Sequence, residues 1–249
     1  MILSHMTIYG CPKCGEFVSK TSPSSSYRST GIRFTDGKLR GLDAIHDYIV
    51  NECKKCGHLF WIKDDYKIGV YDFGPFGRKD EEGNKALEAK VPNMGFVSSA
   101  RLPDIYGLHR MLATGDFTGK KQEIYLRKNL HWSFNDRYWD LRVLFLKDGD
   151  QEIWEENLKA LIPLIRFRYK DTLYLAEIYR NLGKFYRARW VLLRAVLPSM
   201  KNAREVIWHE CKKKNSFLVP YGKGKLNEYY VDGYPDYVQV DKGKILNGK

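Results

Sequence analysis

The spacing of apolar residues changes character along this chain. Near the start they come in short alternating runs: Thr7-Ile8-Tyr9, Ile32-Arg33-Phe34-Thr35, Lys38-Leu39-Arg40 and Leu59-Phe60-Trp61-Ile62. Alternation with a period of two predicts β-strands. Asp36-Gly37 lies between two of these runs and predicts a two-residue hairpin turn, because Gly adopts positive φ without a Cβ clash. Residues 44–50 read as a short helix or packed loop, and the Ser-rich residues 19–29 as an exposed loop. In 66–102 neither period persists. Gly, Pro and charge crowd together in Asp72-Phe73-Gly74-Pro75-Phe76-Gly77 and Arg78-Lys79-Asp80-Glu81-Glu82-Gly83, which predicts a connector with one or two helical turns at 84–90. Tyr66, Tyr71, Phe73 and Phe76 favour a connector docked on its neighbours over a free tether.

From 103 onward the period becomes helical. Pro103 stands at a first turn, followed by Ile105, Leu108, Met111 and Leu112. Ile124, Leu126, Leu130, Trp132 and Phe134 predict a helix over 119–135. Trp154, Leu158, Leu161, Ile162 and Ile165 mark a third, with Pro163 unfavourable inside it. Asp171 or Thr172 caps a fourth, which holds Leu175, Ile178, Tyr179 and Leu182 and stops at Gly183. A fifth runs over 184–197 up to Pro198, and a sixth over 201–213. Short breaks between neighbours predict antiparallel hairpins. After 215 the chain is polar, Tyr-rich and broken by Gly222, Gly224, Gly233 and Pro235. It reads as an irregular tail, laid on the helices by Tyr229, Tyr230, Tyr234 and Tyr237.

The fold class that follows is α+β. A β-rich module over 1–65 leads through a connector (66–102) to helical hairpins (103–214) and the tail (215–249). At 249 residues and 43% hydrophobic, the chain can bury a substantial core. No apolar run is long enough to span a bilayer. The opening Met1-Ile2-Leu3-Ser4-His5-Met6 lacks the basic start and apolar stretch of a secretory signal, so a cytoplasmic location is expected.

Net charge is +12 and unevenly spread: residues 184–214 carry nine Lys and Arg against Glu205 and Glu210, a net +7. Such an excess attracts polyanions, though a solvated helical face is the plainer explanation.

Cysteine use sharpens the picture. Four of the five cysteines form two pairs, Cys11-Pro12-Lys13-Cys14-Gly15 and Cys53-Lys54-Lys55-Cys56-Gly57. Each Cys-x-x-Cys turn offers two thiolates to one ion, and Cys11, Cys14, Cys53 and Cys56 together complete a tetrahedral four-thiolate site. Zinc is the expected ion. Iron, a redox dithiol pair and free thiols are the alternatives. Four sulfurs fill the coordination sphere, so the ion is expected to be structural. Paired cysteines fit a reducing compartment. Cys211, beside Trp208, reads as a core residue.

Residues 11–61 resemble a zinc ribbon. More specifically they are similar to a widespread, poorly characterised group of bacterial proteins. Those begin with a Cys-Pro-x-Cys-Gly knuckle, carry an aromatic-Thr/Ser-Asp-Gly-Lys hairpin (here Phe34-Thr35-Asp36-Gly37-Lys38) and place an aromatic pair (here Phe60-Trp61) after the second knuckle. The resemblance implies no activity. In the helical region, Leu175-Ala176, Tyr179, Leu182-Gly183, Phe185, Ala188, Leu192 and Ala195 resemble one tetratricopeptide repeat, with Ala176 and Ala188 small where two helices cross. A plain helical bundle is the alternative.

No Walker loop, dinucleotide fingerprint, Gly-x-Ser-x-Gly or His-Glu-x-x-His occurs, so no enzymatic activity is expected. The sequence fits an adaptor in which a zinc ribbon is fused to helical hairpins that hold a protein partner. Exposed Arg187, Arg194 and Lys201, with Trp190 and Tyr186 as aromatic contacts, are the expected docking residues. Nucleic-acid binding through Lys13, Lys54, Lys55 and the basic 184–214 stretch is the second reading. Trp132 with Asn135-Asp136-Arg137 reads as a capping and packing cluster at a helix end.

Overall fold

The computed structural model describes residues 3–23, 31–40, 48–73 and 80–221. Its first part is built from short strands: β1 (Leu3–Gly10), β2 (Phe17–Pro23), β3 (Ile32–Phe34), β4 (Leu39–Arg40), β5 (Val50–Glu52), β6 (Leu59–Trp61) and β7 (Lys67–Asp72). After them come α1 (Glu81–Lys90) and β8 (Ser98–Ser99). The strands form a four-stranded sheet of order β7-β1-β2-β8 and a β5-β6 hairpin, while β3 pairs with β4.

The second part is helical: α2 (Ile105–Ala113), α3 (Gly119–Leu141), α4 (Asp150–Ile165), α5 (Thr172–Asn181), α6 (Phe185–Leu192) and α7 (Lys201–Lys212), followed by β9 (Pro220–Tyr221). Consecutive helices pack on one another, and α5 also packs on α7. Their shared core contains Leu108, Leu126, Leu130, Phe134, Leu158, Leu161 and Ile178. The α+β class is therefore as expected.

Several local expectations change. Residues 66–102 are not a bare connector: β7 pairs antiparallel with β1, and α1 packs on β7. The alternating run around Ile8 is short, yet β1 extends over Leu3–Gly10 and is paired on both edges, which satisfies backbone groups that periodicity cannot see. Ser19–Pro23 belongs to β2 and not to an exposed loop, and Ser19 is buried with its hydroxyl donating to the Ser98 carbonyl. The remainder of that loop lies outside the described residues, as do 44–47 of the expected helix; Val50 itself starts β5. Asp104 caps α2, accepting from the Gly107 amide at 2.7 Å, so Pro103 precedes the helix. The carboxylate of Asp171 makes no cap because Lys128 and Arg168 take it. Helix α3 continues to Leu141, placing Trp132 and Asn135-Asp136-Arg137 inside it. Helix α6 stops at Leu192, short of the expected 197. The tail's Tyr229, Tyr230, Tyr234 and Tyr237 lie outside the described residues.

The β3–β4 hairpin is the main surprise. Its loop is Thr35-Asp36-Gly37, one residue longer than expected, with the Gly37 amide bonded to the Phe34 carbonyl and Gly37 at φ +77°. Asp36 is buried and does far more than turn the chain. It accepts from Arg40 at 2.7 and 3.0 Å, from the Lys38 amide at 2.9 Å and from Asn135 Nδ2 at 2.9 Å. Trp132 Nε1 donates to its carbonyl. Asp136 accepts from both Lys38 and Arg40. Next to this, Thr35 donates to Glu177, which forms a fully buried pair with Arg180. Arg180 also donates to the carbonyls of Asn215 and Phe217, and Asn181 donates to that of Ser216. The chain after α7 is thereby held so that β9 pairs with β3. The network rivets hairpin, helices and early tail together.

Burial alone would raise the Asp36 carboxyl, but Arg40, His131 and the Lys38 amide outweigh it and hold it below the usual carboxylate range. Burial also lowers His131, whose ring nitrogens lie 2.9 Å from the Tyr174 hydroxyl and 3.0 Å from Asn181 Oδ1.

Removing one partner of a buried ion pair strands the other. Asp36→Ala is expected to cost about 3–5 kcal/mol in urea denaturation, at an unchanged m-value. His131 gives a second expectation. Its native pKa lies below its unfolded value near 6.5, so the unfolded chain takes up the extra proton and stability falls with pH below about 6.5. Denaturation at several pH values from 7.5 to 5.5, run on wild type and His131→Gln, should show a steeper acid loss in the wild type.

Candidate metal centre

Two hairpins bring the thiols together. Strand β1 runs into Cys11, and β2 leaves after Glu16; β5 runs into Cys53, and β6 leaves after His58. Both turns have the same hydrogen bonds. The Gly15 amide donates to the Cys11 carbonyl at 2.9 Å and the Cys11 amide to Glu16 at 2.8 Å; Gly57 with Cys53, and Cys53 with His58, repeat this at 2.8 and 2.9 Å. Gly15 and Gly57 have φ +72° and +65°, a left-handed bend that L side chains rarely adopt. That bend explains why each pair is followed by glycine.

All four Sγ atoms lie within 4.8 Å of one another. Cys11 Sγ is 3.8 Å from Cys56 Sγ, and Cys14 Sγ is 3.6 Å from Cys53 Sγ. A disulfide requires about 2.0 Å. By contrast, four sulfurs bound 2.3 Å from one ion are separated by about 3.8 Å along the edges of the tetrahedron. The cluster has the dimensions of a four-thiolate metal site and could hold one ion.

The surroundings suit that task. Cys11 and Cys53 are buried with Val18 and Phe60 in a small core of their own. Tyr66 stands edge-on to Phe60. Burial opposes ionisation of Cys53, but the amides of Cys56 and Lys55 and the thiols of Cys56 and Cys14 bring it down to about 7. Burial pushes Cys11 up, the cost a bound cation would remove.

The segment 98–101 ties the two knuckles to each other. Ser98 and Ser99 pair parallel with β2, the Ala100 amide donates to Ser19, and Arg101 exchanges hydrogen bonds with Glu52 and Asn51. The second knuckle then leans on the helices: Trp61 Nε1 donates to the Asp116 carbonyl, and its ring meets Tyr125.

The other named residues fall elsewhere. Arg187, Trp190 and Arg194 are exposed on α6 and the turn after it, and Lys201 is exposed at the start of α7. Cys211 is buried in the helical core, and burial pushes its thiol up to about 11. His58 stands outside the sulfur cluster and stacks on Phe60. The residues missed were Asp36, Arg40, His131, Glu177 and Arg180. One available signal was Glu177 and Arg180 at i, i+3 on the apolar face of a helix, where charges survive only when paired.

No helix among the described residues is long and apolar enough to cross a membrane. Family models, curated proteins and solved structures yield no match to this chain. The likeness to the bacterial group thus rests on the motif residues alone.

If the cluster holds an ion, the purified chain will carry one equivalent of metal by elemental analysis with native mass spectrometry. Cys53→Ser should abolish it, whereas Cys211→Ser should retain it in full.

Proposed function

We propose that this protein is a non-enzymatic adaptor whose N-terminal module is a zinc ribbon and whose helices carry a protein-docking face. The spacing of the four sulfurs carries the metal half of this reading. Zinc suits four thiolates without a redox partner, and filled coordination leaves no open position for catalysis. The ion would serve as the core of a module that has few apolar residues of its own; structural zinc contributes about 10–16 kcal/mol in small peptides at neutral pH. A reducing cytoplasm would keep these thiols available.

Support for the adaptor half lies in α5 and α6. Ala176 and Ala188 are fully buried where the two helices pack, consistent with one tetratricopeptide-like hairpin. On the opposite side Trp190 is exposed between Arg187 and Arg194. Aromatic and Arg side chains are the residues most often decisive at interfaces.

Nucleic-acid binding is the second reading, favoured by exposed Lys13, Lys54 and Lys55 on the knuckle tips, although Lys55 lies 3.5 Å from Glu16. The two readings separate experimentally. In-cell crosslinking followed by mass spectrometry should recover the same protein partner repeatedly, and Arg187→Glu with Arg194→Glu should lower its yield about tenfold. Unchanged recovery would sink the adaptor reading. Oligonucleotide retention falling log-linearly with salt would favour the second.

A further inference from the structure

Helix α6 is apolar on two opposite sides. Ala188, Val191, Leu192 and Ala195 are buried against the helical body. Tyr186, Trp190 and, at the helix end, Leu193, spaced four and three residues apart, face the other way and are 81%, 61% and 63% exposed, and Leu197 beyond the helix is exposed too. Tyr186 and Trp190 alone leave on the order of 300 Å² of ring surface in water. That approaches the largest patch an ordinary monomer tolerates, and the two leucines, Val196 and Phe167 extend it. Phe167 is 80% exposed at the turn after α4, and Arg194 reaches the Arg166 carbonyl beside it.

Charge on this face has one sign. Residues 184–204 contain six Lys and Arg and no Asp or Glu, and the next carboxylate, Glu205, is exposed on α7. Glu177, before them, is fully buried on Arg180. Glu155, the carboxylate near Lys184, is already paired with Lys159 at 2.7 Å. The occupant of such a face must therefore bring apolar side chains and negative charge together.

This chain carries such a segment. Residues 227–241, Asn-Glu-Tyr-Tyr-Val-Asp-Gly-Tyr-Pro-Asp-Tyr-Val-Gln-Val-Asp, hold four carboxylates, no Lys or Arg, four tyrosines and three valines. The segment begins six residues after Tyr221, a tether of up to about 20 Å, and the stripe from Tyr186 to Leu193 is about 10 Å long. Tethering gives such a segment an effective concentration in the millimolar range. We propose that residues 227–241 dock in cis on the outer face of α6, with Glu228, Asp232 and Asp236 meeting Arg187 and Arg194 and the tyrosines covering Trp190 and Leu193. This deepens the adaptor reading and rests on its docking face. It also names the partner class: an acidic, tyrosine-bearing segment able to displace the chain's own. Aliphatic Leu193, Val196 and Leu197 argue against nucleotide bases, which stack on aromatic faces.

The test uses the full-length chain with a photo-crosslinking phenylalanine analogue at position 190. The expected result is an intramolecular crosslink mapping to 227–241 at monomer mass. Arg187→Glu with Arg194→Glu should cut its yield about three- to tenfold. Adding Asp232→Lys and Asp236→Lys to that variant should restore it, which a merely unfolded variant could not do. A crosslink to a second copy, to other residues of this chain, or to nothing overturns the proposal. So does sedimentation with phosphatidylserine vesicles, or retention of a thymidine oligonucleotide, that is lost in the same double variant while no crosslink forms. A chain that crosslinks as expected yet recovers no partner loses the adaptor reading and keeps this one. A chain without the crosslink that still recovers partners through Arg187 and Arg194 does the reverse.

Discussion

Everything at the N-terminal end depends on four sulfurs meeting at one point. Cys14 and Cys53 are 39 residues apart, yet their sulfurs are 3.6 Å apart. Closing a loop of that length costs conformational entropy, but the cost rises only slowly with further length. One ion bound by all four sulfurs would therefore close a loop long enough to contain a second hairpin. Strands β3 and β4 lie in that loop. The knuckles fix its two ends, and the hairpin is free to reach the helices.

What meets the hairpin there is charge. Asp36 with Arg40 and Glu177 with Arg180 are buried ion pairs, a costly way to join two surfaces compared with apolar packing. The benefit is specificity. Each carboxylate and guanidinium has several directional partners, so a hairpin displaced by one residue would strand several charges at once. An apolar contact would have tolerated the slip. Because Arg180 and Asn181 also hold the carbonyls of 215–217, the same network sets where the chain goes after α7. Knuckles and network thus brace the helical body at two places, Trp61 on α3 through Tyr125 and Asp36 on α3 through Asn135.

Helix α6 presents the opposite situation. It has good partners on one side and an apolar, wholly basic surface on the other. Interiors need small residues for close helix crossing, which Ala176 and Ala188 supply. Nothing in that packing requires Trp190 or Tyr186 outside. The four-cysteine cluster and this face lie on different elements of the chain.

The amino-acid sequence by itself marked out the two cysteine knuckles, because Cys-x-x-Cys-Gly is a local geometry: two thiols and a left-handed glycine make the same turn wherever it occurs. It also determined where the helices beyond 103 lie, whose Leu and Ile spacing is local too, but not the ends of α3 and α6, and it determined the position of the Asp36-Gly37 turn. Partnership at long range was not legible. Strand β7 carries exposed and half-buried positions and looks like a connector until β1 lies beside it. Ser19 looks like loop until β8 covers it. Asp36 looks like a turn residue until Arg40, Asn135 and the Lys38 amide surround its carboxylate. Hydrogen bonds and ion pairs between distant segments leave no periodic trace in the chain, so only the tertiary structure could decide which polar residues are buried and what each one holds.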